Sequence, residues 1–480
     1  MKPTKYPAFP PFRPLRISAA VSCLLLLAAC AVGPDYKAPP AQDVGVGFKS
    51  AQGWVQARPG DPLASDSWWQ RYQDPLLNSL IDSLNTSNQT LAQSIARYDQ
   101  AVATTAQTRS SFFPTAGISL SGDRSKSAAG GVGNSVSGSV SLQWEADLWG
   151  KLRRQYESSK SDEQASRADV AAARLSMQST LAQNYFALRM LDERQRLLKA
   201  NVRAYERSVQ VNQNRYQQGV AARADVVTAE AQLESARASA IAIEADRSLL
   251  EHAIAVLIGQ PPSAFAIEPK AYEVKVPGIP VDVPSTLLLR RPDIVAAERR
   301  VAAANAQIGV AQSAWFPDLT LGGSIGNTTS TLAQWLASPL QFWSLGPALA
   351  MTLVDAGARS GAIDASKASY RAEVAAYRQT VLTGLQEVED AISSLRVLER
   401  QQAAQLRALA AARQSLAITQ NQYLAGLVDY LSVVQVQSTA YSAEQTALQL
   451  ESQRLQASVQ LIAALGGGWD KQQLERRAAP

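Results

Sequence analysis

Few side chains in this 480-residue sequence are equipped for chemistry. There is one His, His252, and there are two Cys, Cys23 and Cys30. So small a set excludes a His-rich metal site or a zinc ribbon. It also excludes a disulfide framework, because a chain this long cannot depend on one bridge. His252 is followed by Ala253-Ile254-Ala255 in a helical stretch and reads as a structural residue. Gly130-Gly131 and Gly322-Gly323 sit in or beside β-type segments, so they are not phosphate loops. No catalytic constellation, metal site or cofactor site emerges, and no nucleotide site from which work could be drawn. One reactive setting remains: the thiol of Cys30, at the end of an apolar run.

Met1 to Ala29 reads as a signal peptide. Lys2, Lys5, Arg13 and Arg16 form its positive region and Ile17 to Ala29 its apolar region. The string Leu27-Ala28-Ala29-Cys30 resembles the bacterial lipobox, in which the Cys is acylated and becomes the first residue; the alternative is an ordinary signal peptide that contains a Cys. Ala31 follows, not the Asp that retains such lipoproteins at the inner membrane, so an outer-membrane destination is expected. Acyl chains contribute about 0.8 kcal/mol per buried CH₂ and anchor firmly when multiple. The formal net charge is +5, but the signal peptide carries four positive charges and no acid. The mature chain is then nearly neutral, which removes the case for nucleic-acid binding.

The elements must be sought through repetition. Phe113-Pro114 recurs as Phe316-Pro317, Asp147 as Asp355, Tyr216-Gln217-Gln218-Gly219 as Tyr423-Leu424-Ala425-Gly426, and Ile258-Gly259 as Leu465-Gly466. The offset stays between 203 and 208 residues. The chain is therefore one unit written twice. The reading is a signal peptide over 1–29, a lipidated segment over 30–74 and a first repeat over 75–268. A Pro-rich linker over 269–284, a second repeat over 285–469 and a tail over 470–480 follow.

In the first repeat the pattern predicts a helix over Pro75–Ser111, a β-rich piece over Thr115–Asp147, a very long helix over Lys151–Gln217 and a helix over Arg223–Ile258. The second predicts Pro292–Ser313, Asp318–Leu353, Arg359–Leu424 and Asp429–Leu465 in the same roles. A helix over Lys151–Gln217 would span about 100 Å, more than an ordinary globular domain can hold. Ala168, Ala172, Leu175, Ser179, Ala182 and Phe186 form a seam of mostly small residues that lets helices approach closely. The shorter helices, end to end, match the long one and can stack beside it. A plain coiled-coil rod without a pore is the alternative.

The β-rich pieces alternate with period two. Ala116, Ile118, Leu120 and Gly122 share one face, as do Val136, Gly138, Val140, Leu142 and Trp144. Leu319, Leu321, Gly323 and Ile325 do the same, and Trp343, Leu345, Leu349, Met351 and Leu353 share a face. Segments of about ten such residues fit transmembrane strands, apolar outward. Soluble hairpins packed on the helices are the alternative. Phe112, Phe113, Trp144, Trp149, Trp315 and Phe316 would form an aromatic girdle at the inner interface. Four strands cannot close a barrel, and lipid does not tolerate open edges. Two copies would supply 8 strands and three would supply 12; a lumen too wide for side chains to fill favours three. Lys126–Asn134 and Ser330–Leu340 would be the outer loops, with the helices in the periplasm.

The string Leu287-Leu288-Leu289-Arg290-Arg291-Pro292-Asp293-Ile294, with Ala296-Ala297-Glu298 after it, resembles the signature of the outer-membrane factor family. Ala311 to Leu321, the closing Leu465-Gly466-Gly467-Gly468-Trp469 and the start Cys30-Ala31-Val32-Gly33-Pro34-Asp35-Tyr36 fit as well. The resemblance is to the OprM/NodT lipoprotein branch of the TolC-like channels. It implies a homotrimer, mainly α with transmembrane β, with a 12-stranded barrel and a long periplasmic α-helical barrel. It also implies partnership with a periplasmic adaptor and an inner-membrane pump of the RND type, and the role of exit duct in tripartite efflux. An exit duct for type I protein secretion is the competing function.

A duct must be shut at rest, and the tips at Gly219 and Gly426 lie farthest from the barrel. The resemblance puts Asp225 at an acidic gate position and Tyr423 at its Tyr. Val428 stands where some relatives have Arg, and Ser432 and Gln435 replace an acidic ring. Asp429-Tyr430 resembles a polar pair of the branch, and Arg223 is the substitute cation. Gly219, Val220, Ala221, Gly426, Leu427 and Val428 are the expected adaptor contacts.

Overall fold

The computed structural model describes residues 31–40, 47–51, 67–126, 131–273, 275–279, 290–337 and 341–471. Residues 1–29, read above as a signal peptide, Cys30, residues 280–284 of the expected linker, residues 285–289 and most of the expected tail lie outside the described residues. In chain order the main elements are α1 (Pro75–Ser87), α2 (Gln89–Ser110), β1 (Thr115–Lys126), β2 (Val132–Ala146), α3 (Lys151–Gln217) and α4 (Arg223–Leu257). Then come α5 (Pro292–Ser313), β3 (Asp318–Thr329), α6 (Leu332–Ala337), β4 (Phe342–Ala350), α7 (Ala358–Leu424) and α8 (Tyr430–Ala464). α3 and α7 are both 67 residues long, and α4 and α8 both 35. Matching lengths express the duplication in three dimensions.

The long helices begin in the same way. The Asp147 carboxylate accepts from the Leu152 and Arg153 amides and from Arg153 Nε. Its counterpart Asp355 accepts from the Gly357 and Arg359 amides and from Arg359 Nε. A carboxylate on the free N–H groups of a first turn offsets the helix dipole as well as satisfying donors.

The structure differs from the sequence expectation at strand ends, where β1 and β2 run into the expected loop at Lys126 and Val132–Asn134 and β4 stops at Ala350 before Met351 and Leu353, and in two helices. The helix expected over Pro75–Ser111 is two helices, broken at Asn88, whose backbone is extended at φ −69° and ψ 123°. Asn88 Oδ1 accepts from the Leu91 amide at 2.8 Å, and its Nδ2 donates to the Leu257 carbonyl at 2.7 Å. One side chain thus starts α2 and closes the end of α4. The equivalent position in the second repeat is Arg291, which donates to the Ala464 carbonyl at the end of α8. Gly259 and Gly466 complete the two junctions. Both have positive φ, 72° and 93°, and each lies against a carbonyl, of Ser87 and of Arg290, that leaves no space for a Cβ. The second helical difference is α6, a short helix in a segment expected to be loop.

The chain divides into two compact units that do not follow the repeats. One comprises Met1–Pro40, Tyr98–Ser166 and Ala297–Tyr377; the other comprises Ala41–Arg97, Arg167–Ala296 and Arg378–Pro480. The first holds a four-stranded antiparallel sheet of order β1-β2-β3-β4. It also holds an N-terminal strap over residues 31–36. The Val32 amide donates to the Trp149 carbonyl at 2.9 Å. Arg154, buried, donates to the carbonyls of Val32 and Gly33 and pairs with Asp35 at 2.8 Å. Asn305 Nδ2 donates to the Pro34 carbonyl, and the Tyr36 hydroxyl to Glu298. Burial, with the Glu298 carboxylate beside it, drives the Tyr36 phenol far above its ordinary range.

The second unit carries the main apolar core. Trp68, Trp69 and Tyr72, from the segment ahead of the first repeat, pack with Leu77, Ile81 and Phe186. Their polar ends are satisfied: Trp68 Nε1 donates to Gln178, and the Tyr72 hydroxyl pairs with Ser458 at 2.6 Å. At the side of this core Asp192 is held by Arg189 and by Arg247, at 3.1 and 2.8 Å. Among the described residues no helix is long and apolar enough to cross a membrane.

Candidate functional site

The sheet is built as a two-faced wall. Its register is unbroken, so alternation assigns every side chain to a face. One face carries the rows Ile118–Val140–Ile325–Trp343 and Ala116–Leu142–Gly323–Leu345, followed by Trp144–Leu321–Pro347. These side chains are exposed: Ile118 at 84%, Trp343 at 76% and Leu345 at 75%. The other face carries Ser119–Ser139, Ser121–Ser137 and Ser324–Ser344 pairs, hydroxyl to hydroxyl at 2.8 to 3.1 Å. An exposed apolar face this continuous belongs against lipid, and a hydroxyl-lined face against water. Among the described residues the outer edges of β1 and β4 have no strand partner in the chain.

The aromatic residues expected as a girdle gather at the strand ends nearest the long helices. Trp149 stacks on Phe316 at 4.9 Å, and its Nε1 donates to the Pro317 carbonyl. Trp144 Nε1 donates to the Phe112 carbonyl at 2.9 Å. The Arg359 guanidinium lies over the Trp315 ring at 4.3 Å, and Phe113 is 62% exposed. Rings with an apolar body and a tethered polar edge suit a membrane–water boundary.

The tips form the second constellation. Both α3 and α7 end on a glycine at φ 75°, Gly219 and Gly426. The Val220 amide donates to the Arg215 carbonyl, and the Leu427 amide to the Gln422 carbonyl, both at 2.9 Å. These closing bonds are those of the left-handed helix stop. Val220 is 61% exposed and Leu427 74%; Ala221 and Val428 are half-buried.

Tyr423 and Tyr430 are brought together, their rings 5.6 Å apart in a small core with Ala229 and Val433. The Tyr423 hydroxyl donates to Asn212 Oδ1 at 2.6 Å. The cation at Tyr423 is Arg215, stacked 4.7 Å from its ring centre, whereas Arg223 is an exposed residue opening α4. Asp225 is half-buried and adds to the upward shift of the Tyr423 phenol, which comes first from burial; Arg215 opposes it. Burial likewise pushes the Tyr430 phenol up to about 12. Both hydroxyls therefore keep their protons at physiological pH. Asp429 is exposed and caps α8, accepting from the Ser432 amide and hydroxyl, bonds that hold its carboxyl below the usual range. Sequence reading missed Asn212 and Arg215. Their counterparts in the second repeat are Thr419 and Gln422, so the repeat gave no signal for them.

Among the described residues no group of three or more His, Cys, Asp or Glu is placed to hold a metal ion. The arrangement can form a wall and close an end. A family model described as outer membrane efflux protein matches residues 80–260 and 283–467. The pyoverdine export outer membrane protein OpmQ of Pseudomonas aeruginosa is 30% identical over 95% of this chain and 98% of its own length. Nodulation protein T of Rhizobium leguminosarum bv. viciae is 30% identical over 95% and 94%. The solved structure of the outer-membrane channel OprN is 30% identical, with a TM-score of 0.83 over 92% of this chain and all of that one. A lipid-facing sheet, paired long helices and these likenesses lead to one assignment: the chain belongs to the outer membrane efflux protein family and is an exit channel of the Gram-negative outer membrane.

Proposed function

We propose that the chain works as the passive duct of a tripartite pump, as a homotrimer anchored by acylated Cys30. A periplasmic adaptor and an inner-membrane pump of the RND type supply the joint and the energy. The observation that carries the trimer is the sheet with one lipid-facing side and two open edges. Unpaired backbone costs several kcal/mol per group in lipid, so β4 of one copy must pair with β1 of the next. Cysteines placed on the outer edges of β1 and β4 should cross-link copies into a closed trimer. Cross-linked dimers alone would overturn the arrangement. Mass spectrometry of the wild-type mature protein should show acyl mass on its N-terminal Cys30; a bare Cys30 there contradicts acylation.

Tyr423, Tyr430, Asp225, Asp429 and Arg223 are proposed to hold the tips closed, with Asn212 and Arg215 as the anchors of Tyr423. Replacing Tyr423 with Phe leaves the buried Asn212 carbonyl without its donor, at a cost of about 1–3 kcal/mol per copy. Single-channel conductance in bilayers should rise in Tyr423→Phe and in Asp225→Ala. Wild-type conductance in both would sink the gate. The exposed tip residues Val220 and Leu427, with Gly219, Ala221, Gly426 and Val428, are the proposed adaptor contact, to be read by cross-linking. The cargo is proposed to be small molecules, in line with pyoverdine export in the name of OpmQ.

A further inference from the structure

The lipid-facing side of the sheet does not end as it begins. From Leu319 to Val354 the sequence has no charged residue, and from Thr115 to Trp144 it has three: Asp123, Arg124 and Lys126. All three fall at the end of β1 away from the long helices. Alternation sorts them. Arg124 and Lys126 continue the row of Ile118 and Leu120, whereas Asp123 falls with Ser119 and Ser121 on the hydroxyl-lined face. The two cations are exposed, and among the described residues no ion pair engages either of them.

A second observation lies at the same end. α6 packs against β2 and β3, with the Trp335 ring set so closely on Gly138 that no Cβ would fit. Gly138 pairs with Leu120 and points to the lipid-facing side. The next residues of that face on β1 are Gly122, Arg124 and Lys126. On α6, Leu332, Trp335 and Leu336 share a face by their spacing; Leu332 is 55% and Leu336 73% exposed. A short apolar ledge therefore lies on the membrane side of the wall, with two cations farther out on the neighbouring edge strand. Such a pairing fits a molecule with acyl chains below and phosphate above.

We propose that Arg124 and Lys126, with the ledge of Leu332, Trp335 and Leu336, bind a phosphorylated glycolipid of the outer leaflet. The position decides the source. This end of the sheet is the outer one if the long helices are periplasmic, and the outer leaflet of a Gram-negative outer membrane is built of phosphorylated glucosamine lipid. The inference rests on the channel reading above. Guanidinium and ammonium engage phosphate oxygens, and the apolar stems of both side chains lie along the acyl region. Three copies would ring the rim with six cations.

The test uses full-length protein in phosphatidylcholine nanodiscs, titrated with lipid A, with dephosphorylated lipid A and with phosphatidylglycerol. The double replacement Arg124→Gln with Lys126→Gln should weaken lipid A binding roughly thirty-fold, the loss expected for two cations at a charged lipid surface. It should leave binding of the dephosphorylated lipid unchanged. Arg124→Lys with Lys126→Arg should keep most of the affinity, which separates charge from misfolding. Asp123→Asn, on the opposite face, should have no effect. Equal lipid A binding by wild type and the Gln variant overturns the proposal. So does equal affinity of the wild type for phosphatidylglycerol, because any anion would then suffice. Conductance of the Gln variant in bilayers is measured alongside: if it persists, a failure of lipid binding leaves the channel reading standing.

Discussion

Replacing Asp192 with Ala should lower stability by about 3–5 kcal/mol, the cost of breaking a buried charge network by removing one partner. The side chain is 1% exposed and accepts from two arginines, Arg189 at 3.1 Å and Arg247 at 2.8 Å. Arg189 is itself 4% exposed and donates also to the Tyr185 hydroxyl and the Glu268 carbonyl. Arg247 reaches Glu251 and the Ile267 carbonyl. Without the carboxylate two guanidinium groups remain in low-dielectric surroundings with only part of their charge answered. The residues tied together come from α3, α4 and the segment after α4, so the loss is felt across the second unit. The denaturant midpoint of the purified protein reads the effect. Arg237→Gln is the control, because Arg237 pairs with Glu206 and Glu234 at an exposed site and should shift nothing measurable. Equal midpoints for Asp192→Ala and wild type would show that the network is not a keystone of this unit.

The second large effect is expected at the helix junctions. Gly466→Ala places a Cβ into the Arg290 carbonyl at a residue with φ 93°, and Gly259→Ala repeats the collision at the Ser87 carbonyl. The left-handed backbone alone costs an L-residue about 1–2 kcal/mol. The contact with backbone adds to this, because a carbonyl inside a packed junction cannot swing away as a side chain can. Gly426→Ala at the tip isolates the two contributions. Its φ of 75° is similar, but nothing lies within 4 Å of the added Cβ. Gly466→Ala and Gly259→Ala should therefore both be clearly less stable than Gly426→Ala in thermal melts of the same preparation. Three equal melting points would mean the junctions relax freely.

Much of the architecture was legible because its signals are local. The long helices stop at Gly219 and Gly426, α4 stops at Gly259-Gln260-Pro261-Pro262, and the strands announce themselves by period two. The four-stranded sheet and the paired long helices are the outcome. The break at Asn88 was missed because no Gly or Pro marks it, although Asn85-Thr86-Ser87-Asn88 favour caps over helix interiors. Its extended backbone is fixed by a bond to Leu257, 169 residues away in sequence. In the second repeat the same boundary was easy, since Pro292 opens the helix there. Helix α6 was hidden for the opposite reason: six residues are too few for periodicity to register. At the tips, the aromatic pair was visible in the sequence but its partners were not. Asn212 and Arg215 are ordinary polar residues of a long helix, and only packing reveals that one is buried and the other stacked on Tyr423.

The strap over residues 31–36 carries a consequence in time. Its partners are made late: Asp35 waits 119 residues for Arg154, Tyr36 waits 262 for Glu298, and Pro34 waits 271 for Asn305. During synthesis and export the leading end of the mature chain has no surface to rest on. Processing enzymes thus meet it before the fold can hide it, and the acylation proposed at Cys30 would belong to that interval. Folding then fastens the same end beside Trp149, which turns a freely accessible leader into a fixed point of attachment.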